Sequence, residues 1–167
     1  MYNYLFNKII YLYHIFKSVL MYIRKALPMD LGKIYKIEVE SFPYPYGIDI
    51  LQQLINLGIG FLVAVEDETV VGYIVFWLKE EKRGHIISLA VDKNYRGRKI
   101  ATQLLTKVVI IFKGVEANKI TLEVRGDNDG AIEFYKKFGF LIDRKVPNYY
   151  EDGREAYVMY FDKLVTN

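Results

Sequence analysis

The stretch SLAVDKNYRGRKIATQLL (residues 88–105) holds the residues best placed for ligand chemistry: an apolar strand enters a basic, glycine-containing loop that leads directly into a helix. The first backbone N–H groups of a helix have no intrahelical acceptor, and with the helix dipole they bind anionic oxygens such as those of phosphate. Arg96, Arg98 and Lys99 add positive potential around that entrance. The same charges would serve as a plain solvated face, so this loop by itself leaves both readings open. A second chemical position lies in KITLEVR (residues 119–125), where Ile120, Leu122 and Val124 share one face of an alternating strand. Glu123 then points the other way, with Thr121 and Arg125. A carboxylate so placed can take a proton from a substrate ammonium, or it can pair with Arg125 as a structural bridge.

These positions need a scaffold, and the apolar periodicity supplies one. MYIRKAL (21–27) predicts a short strand broken by Pro28-Met29-Asp30, with Asp30 as the expected N-cap of a helix reaching Phe42. SFPYPYG (41–47) cannot extend that helix, because Pro43 and Pro45 lack donors and restrict their predecessors, so an exposed aromatic loop follows. A second short helix is expected over about Ile50 to Leu57, stopped by Gly58. FLVAVE, DET and VVGYIVFWL read as two antiparallel strands around a turn, and HIISLAV follows the charged turn KEEKRG as a further strand. In KIATQLLTKVVIIF, Ile100, Leu104, Val108 and Phe112 fall at i+4 steps on one helical face. GDNDG starts a short helix whose apolar side carries Ala131, Phe134, Tyr135 and Phe138, and Gly139 ends it. FLIDRKV and REAYVMYF are the final strands, joined by the aromatic loop PNYYEDG. The order predicts an α/β fold: a mixed, mostly antiparallel central sheet flanked by helices, which enter before its second strand and after its fourth and fifth.

Composition narrows the chemistry. A chain of 167 residues with more than half its residues apolar suits one well-filled domain, here residues 21–167. The net charge of +3 is too small to argue for wrapping a nucleic-acid backbone, so no direct nucleic-acid binding is expected. With no cysteine there is no disulfide, no thiolate ligand and no cysteine nucleophile, and a cytoplasmic setting is the simplest expectation. His14 and His85 are the only histidines, which makes a zinc site improbable, and no metal is assigned. Residues 1–20 form a separate extension in which Leu5, Ile9, Leu12, Phe16 and Leu20 recur at helical spacing. Asn7, Lys8, His14 and Lys17 interrupt it, so it is neither a membrane span nor a clean secretory signal. It suits a helix packed on the domain or on a neighbouring subunit, the preferred reading, or else a peripheral membrane-surface helix.

Several blocks in order now carry a resemblance: Arg96-Gly97-Arg98-Lys99-Ile100-Ala101, His85-Ile86-Ile87-Ser88-Leu89-Ala90-Val91, Leu122-Glu123-Val124-Arg125, Asn128, Ala131, Phe134-Tyr135, Phe138-Gly139-Phe140, Tyr149-Tyr150-Glu151-Asp152-Gly153 and Ala156-Tyr157-Val158-Met159. The blocks run from His85 to Met159, and over roughly residues 21 to 162 the chain resembles the GNAT acetyltransferase superfamily, specifically its protein N-terminal acetyltransferases of the RimI (ribosomal-protein alanine) and Ard types. Lys99 departs from the pattern, standing where glycine is usual; a helical dihedral there would not itself require glycine.

The resemblance implies acetyl-CoA as acetyl donor and the α-amine of a peptide or protein N-terminus as acceptor. It implies that backbone groups from Arg98 through Thr102, namely Arg98, Lys99, Ile100, Ala101 and Thr102, hold the pyrophosphate beside Arg96. Leu89, Ala90 and Val91 would then line the pantetheine arm, with Asn128 and Tyr135 as further contacts. Glu123 is the implied general base and Tyr135 the implied proton donor to the departing thiolate. Phe42, Pro43 and Tyr44 would face Tyr149 and Tyr150 across the substrate peptide, with Glu38 assisting at the amine. Bland roles stay open for each: a solvent-facing Glu38, a purely packed Tyr135, and loop aromatics that serve a homodimer or a closed lid. Without cysteine or a serine triad, direct attack of the amine on the thioester is expected. A small-amine acceptor, a non-catalytic CoA-binding or assembly module, and ribosome association through residues 1–20 are the remaining alternatives.

Overall fold

The computed structural model describes residue 8 and residues 21–162; the proposed N-terminal stripe of Leu5, Ile9, Leu12, Phe16 and Leu20 lies outside the described residues. Seven strands among these residues form one mixed sheet in the order β1-β2-β3-β4-β5-β7-β6. They are β1 (Tyr22–Lys25), β2 (Gly60–Glu66), β3 (Thr69–Lys79), β4 (Arg83–Val91), β5 (Lys119–Arg125), β6 (Leu141–Val146) and β7 (Ala156–Phe161). Helices α1 (Leu31–Ser41) and α2 (Ile48–Asn56) precede β2, α3 (Ile100–Gly114) follows β4, and α4 (Asp129–Phe138) follows β5. This is the expected α/β architecture, and no described helix is long and apolar enough to cross a membrane.

The chain divides into two compact units, residues 1–73 with 90–100, and residues 74–89 with 101–167. Both β3 and β4 therefore contribute to each unit.

In the first unit β1 pairs antiparallel with β2, from Tyr22 opposite Val65 to Lys25 opposite Leu62. Asp30 is not the side-chain cap expected for α1. Its own backbone is helical, and its carboxylate instead accepts from the Leu27 N–H at 2.8 Å and binds both terminal nitrogens of Arg24 at 2.6 and 2.8 Å. The buried carboxylate thus fixes the chain where it leaves β1, and Arg24 together with the Leu27 N–H holds its pKa below the ordinary aspartate value against the cost of burial. The β2–β3 turn places Asp67 and Glu68 at φ of 50° and 57°, the left-handed pair that a two-residue hairpin requires.

In the second unit the core follows the predicted stripe on α3, with Leu104, Val108 and Phe112 all buried. Gly84 is needed there: a Cβ at that position would lie 2.7 Å from the Phe112 ring. Phe112 also meets Phe76 edge-on at 5.4 Å. The stripe on α4 is centred differently from expectation, because Ile132 and Tyr135 are its buried residues while Ala131, Phe134 and Phe138 are half-buried. β5 pairs antiparallel with β7 along its whole length, whereas its parallel ladder with β4 spans only Arg83–Lys119, Gly84–Ile120 and His85–Thr121.

Candidate active site

The helix entrance belongs to the first unit. Asp92 opens the loop after β4: its carboxylate accepts from Asn94 N–H and from Lys33 Nζ, both at 3.0 Å, and its own N–H donates to the Val71 carbonyl. These bonds, with Lys33 the nearby cation, lower the Asp92 pKa and keep it anionic. Gly72 lets this segment come close, since a Cβ there would meet the Ala90 carbonyl oxygen at 3.1 Å and an Ile100 methyl at 3.3 Å.

The two arginines are already engaged. Arg96 donates from Nε to the Val91 carbonyl at 3.1 Å, and Arg98 pairs with Glu66 at 3.0 Å while stacking on the Tyr95 ring at 4.9 Å. Lys99 is exposed and has φ of 61°, so the helical dihedral expected there is replaced by a left-handed one. That conformation costs a residue with a Cβ roughly 1–2 kcal/mol, which supplies a physical reason for glycine at this position in the signature. Gly97, at φ of 78°, takes the other left-handed position without that cost. Ala90, Val91 and Ile100 are buried.

Glu123 lies in the second unit, on the polar face of β5 opposite Val158. Its Oε2 is 3.3 Å from Nε2 of His85, a residue to which the sequence reading gave no chemical role. Nδ1 of His85 lies 3.0 Å from the Thr121 hydroxyl, which is itself 3.3 Å from the Gly84 carbonyl. Burial lowers the His85 pKa, Glu123 opposes that and Lys79 adds to it, and the ring is neutral near pH 7. A neutral ring has one N–H. Placing it on Nε2 gives Glu123 a donor and leaves Nδ1 an acceptor, which shares the single Thr121 hydroxyl proton with the Gly84 carbonyl; the opposite tautomer would set a lone pair against a carboxylate. The pair arises because the β4–β5 register sets His85 beside Thr121, two residues before Glu123 on the same face.

Two further predicted residues belong to α4 in this unit, one at its N-cap and one within it. Asn128 caps the helix, its side-chain oxygen accepting from the Ala131 N–H at 3.0 Å, so only its NH₂ is left for a ligand. Tyr135 is 8% exposed, packed against Phe134 and Phe140 with ring centroids at 5.1 and 5.5 Å. Burial pushes its phenol far above the ordinary tyrosine value, so the hydroxyl keeps its proton and acts as a hydrogen-bond donor. Leu89 is half-buried, and Ala101 and Thr102 occupy the first exposed turn of α3.

The two aromatic loops are each tied down from within their own unit. Glu38 is only 1% exposed, which removes the solvent-facing alternative. Oε1 accepts from the Tyr46 N–H at 2.8 Å and Oε2 accepts from the Tyr73 hydroxyl. Phe42, Pro43 and Tyr44 therefore belong to a loop whose far end is held by a buried carboxylate at the base of α1. In the other unit Tyr149 and Tyr150 meet edge-on at 5.0 Å, and both N–H groups donate to the Arg154 carbonyl at 3.0 Å. His85, Thr121 and Tyr73 had no assigned role because each meets a partner distant in sequence. The one available signal was that His85 and Glu123 occupy the polar sides of two successive strands.

The acetyltransferase (GNAT) family matches residues 31–140 of the chain. An N-alpha-acetyltransferase of Saccharolobus solfataricus is 36% identical over 82% of this chain and 90% of its own length. The crystal structure of Ard1 from Thermoplasma volcanium is similar at a TM-score of 0.80 and 34% identity, covering 86% of this chain and 98% of that one. Naa50 of Arabidopsis thaliana, solved with the bisubstrate analogue CoA-Ac-MVNAL, gives a TM-score of 0.73 and 30% identity over 86% of this chain and 99% of that one. The chain belongs to the acetyltransferase (GNAT) family and, within it, is of the Ard1- and RimI-like N-terminal acetyltransferase type.

Proposed function

We propose that this protein transfers the acetyl group of acetyl-CoA to the α-amine of a protein N-terminus, with the Glu123–His85 pair accepting the amine's proton. The observation that carries this reading is the 3.3 Å contact between Glu123 Oε2 and His85 Nε2 on the polar face of the sheet. An α-ammonium has a reference pKa of about 8 and must lose a proton before it can attack. Glu123 takes that proton directly or through a water, and the Nε2–H of His85 orients its carboxylate. The freed amine attacks the thioester carbonyl carbon, the C–N bond forms and the C–S bond breaks, the nitrogen gives up its second proton to solvent, and the products are the amide and coenzyme A.

In the same reading the amides of Arg98 to Thr102 hold the pyrophosphate, and Leu89 to Val91 with the Asn128 NH₂ meet the pantetheine. The sulfur leaves as thiolate. Tyr135 holds its proton more tightly than a thiol of pKa about 8.5, so it stabilises that thiolate by a hydrogen bond and solvent completes the protonation. Phe42, Pro43 and Tyr44 of one loop, and Tyr149 and Tyr150 of the other, are the side chains assigned to the peptide in this reading. Naa50, whose solved complex joins coenzyme A to a peptide, supports a peptide acceptor, and a cytoplasmic setting follows from that substrate class.

Mass spectrometry on peptides varying the first two residues, with an N-terminally blocked lysine peptide as control, tests the acceptor. Glu123→Gln should lower single-turnover transfer roughly 10²–10³-fold. Transfer to the blocked peptide at equal rate, or full activity of Glu123→Gln, overturns the assignment. Lys99, left-handed where glycine is usual, favours one alternative, a module that binds coenzyme A without rapid transfer. Binding without turnover across the whole peptide set would select it.

A further inference from the structure

One side chain near the proposed peptide loop binds more partners than its place at a strand end requires. Arg125 closes β5 opposite Ala156, and its side chain is only 15% exposed. Its Nε and Nη2 donate to Asp127 at 3.1 and 3.3 Å, and its Nη2 and Nη1 donate to Asp152 at 2.8 and 3.5 Å. The guanidinium also lies 4.9 Å from the centroid of the Tyr150 ring. A planar fork can serve two carboxylates and an aromatic face at once, which a lysine ammonium cannot do.

The two carboxylates lie on different segments. Asp127 precedes Asn128, the cap of α4, while Asp152 sits in the loop that carries Tyr149 and Tyr150. Asp152 Oδ1 accepts from the Arg154 N–H at 3.2 Å, and Arg154 reaches back to Asp127 at 2.8 Å. The Arg154 carbonyl in turn receives both tyrosine N–H groups, and the Gly153 N–H closes the turn on the Tyr150 carbonyl at 2.8 Å. Two arginines and two aspartates thus form a charge-balanced clasp, and Arg125 is the member that bridges the start of α4 to the tyrosine loop.

We infer that Arg125 is a positioning residue: it presets the Tyr149–Tyr150 loop for the peptide and ties that loop to the segment bearing Asn128. The inference rests on the reading that these tyrosines meet the acceptor peptide. A loop already ordered spares the peptide the entropy of ordering it, so loss of the clasp weakens peptide capture more than it slows chemistry. Asp152→Asn leaves the Arg125–Asp127 bonds beside Asn128 in place, so the acetyl-CoA Michaelis constant of that variant is the internal control.

Arg125→Lys and Asp152→Asn are measured in the full-length protein by initial rates with both substrates varied, and by amide hydrogen exchange over residues 147–155. Asp152→Asn lies in an exposed loop and serves if Arg125→Lys does not fold. The expected result is faster exchange at Tyr149, Tyr150 and Gly153, a peptide KM raised about tenfold in both variants, and kcat and the acetyl-CoA KM within about twofold, the pattern of lost uniform binding. Unchanged exchange overturns the clasp. Faster exchange with an unchanged peptide KM, or an equal rise in the acetyl-CoA KM, overturns its link to the peptide. Failure of the acceptor assignment is distinguishable, since the wild-type protein would then acetylate no peptide α-amine while the exchange result stands.

Discussion

Glu38→Gln and Glu38→Ala separate a buried anchor from a proton acceptor. The carboxylate receives one bond from the Tyr46 N–H and one from the Tyr73 hydroxyl, and both Glu38 and Tyr73 are fully enclosed. A hydrogen bond to a charged group contributes about 1.5–3 kcal/mol. Glutamine keeps one acceptor and loses the other, but it also removes the cost of burying a charge, which is what raises the Glu38 pKa. The net loss is about 1 kcal/mol, a fall in Tm of roughly 2–4 °C for a domain of this size. Alanine loses both bonds and opens a gap, about 3 kcal/mol in total.

The pH sign follows from the raised pKa. The folded protein binds the Glu38 proton more tightly than the unfolded chain, so this group favours folding below the ordinary glutamate range and that contribution disappears as pH rises through its folded value. Glu38→Gln therefore costs relatively less at pH 7 than at pH 4. Thermal unfolding at both pH values gives the stabilities, and single-turnover acetylation gives the chemistry. An anchoring Glu38 leaves transfer by the glutamine variant within about tenfold of wild type. A glutamine variant with unchanged Tm and a hundredfold loss of transfer would refute the anchor and make Glu38 the proton acceptor.

Two other substitutions have calculable outcomes. Lys99→Gly relieves about 1 kcal/mol of left-handed strain but gives the unfolded chain back about 0.4–1 kcal/mol of freedom, so Tm should hold or rise by up to about 2 °C. Coenzyme A affinity in high salt should be retained or improved, and calorimetry showing weaker binding there would mean that the Lys99 ammonium outweighs backbone access. His85, with its pKa depressed below about 6.5, contributes stability that is present above pH 7 and declines as the unfolded chain takes up the proton first on acidification. Thermal scans from pH 7.5 to 5 should show that decline in the wild type and a smaller one in His85→Gln; parallel curves would argue that His85 does not titrate abnormally.

The elements and their order are local properties, and the sequence by itself determines them. Apolar alternation in KITLEVR, the i+4 stripe from Ile100 to Phe112 and the proline-broken SFPYPYG segment each reflect how one short stretch presents its side chains to water, which needs no distant partner. The start of α3 was legible for the same reason, because a basic glycine-containing loop gives way there to the i+4 stripe. Roles that depend on a partner were decided only by the tertiary structure. The short parallel ladder of β4 with β5 brings His85 to Glu123 across 38 positions of chain. A fold that sets Tyr73 beside α1 turned Glu38 from a presumed surface or substrate carboxylate into an enclosed one. Loop closure between a strand end and α3 imposed the left-handed dihedral on Lys99. A side chain's protonation and reach depend on what surrounds it, and those surroundings are assembled by packing between segments far apart in sequence.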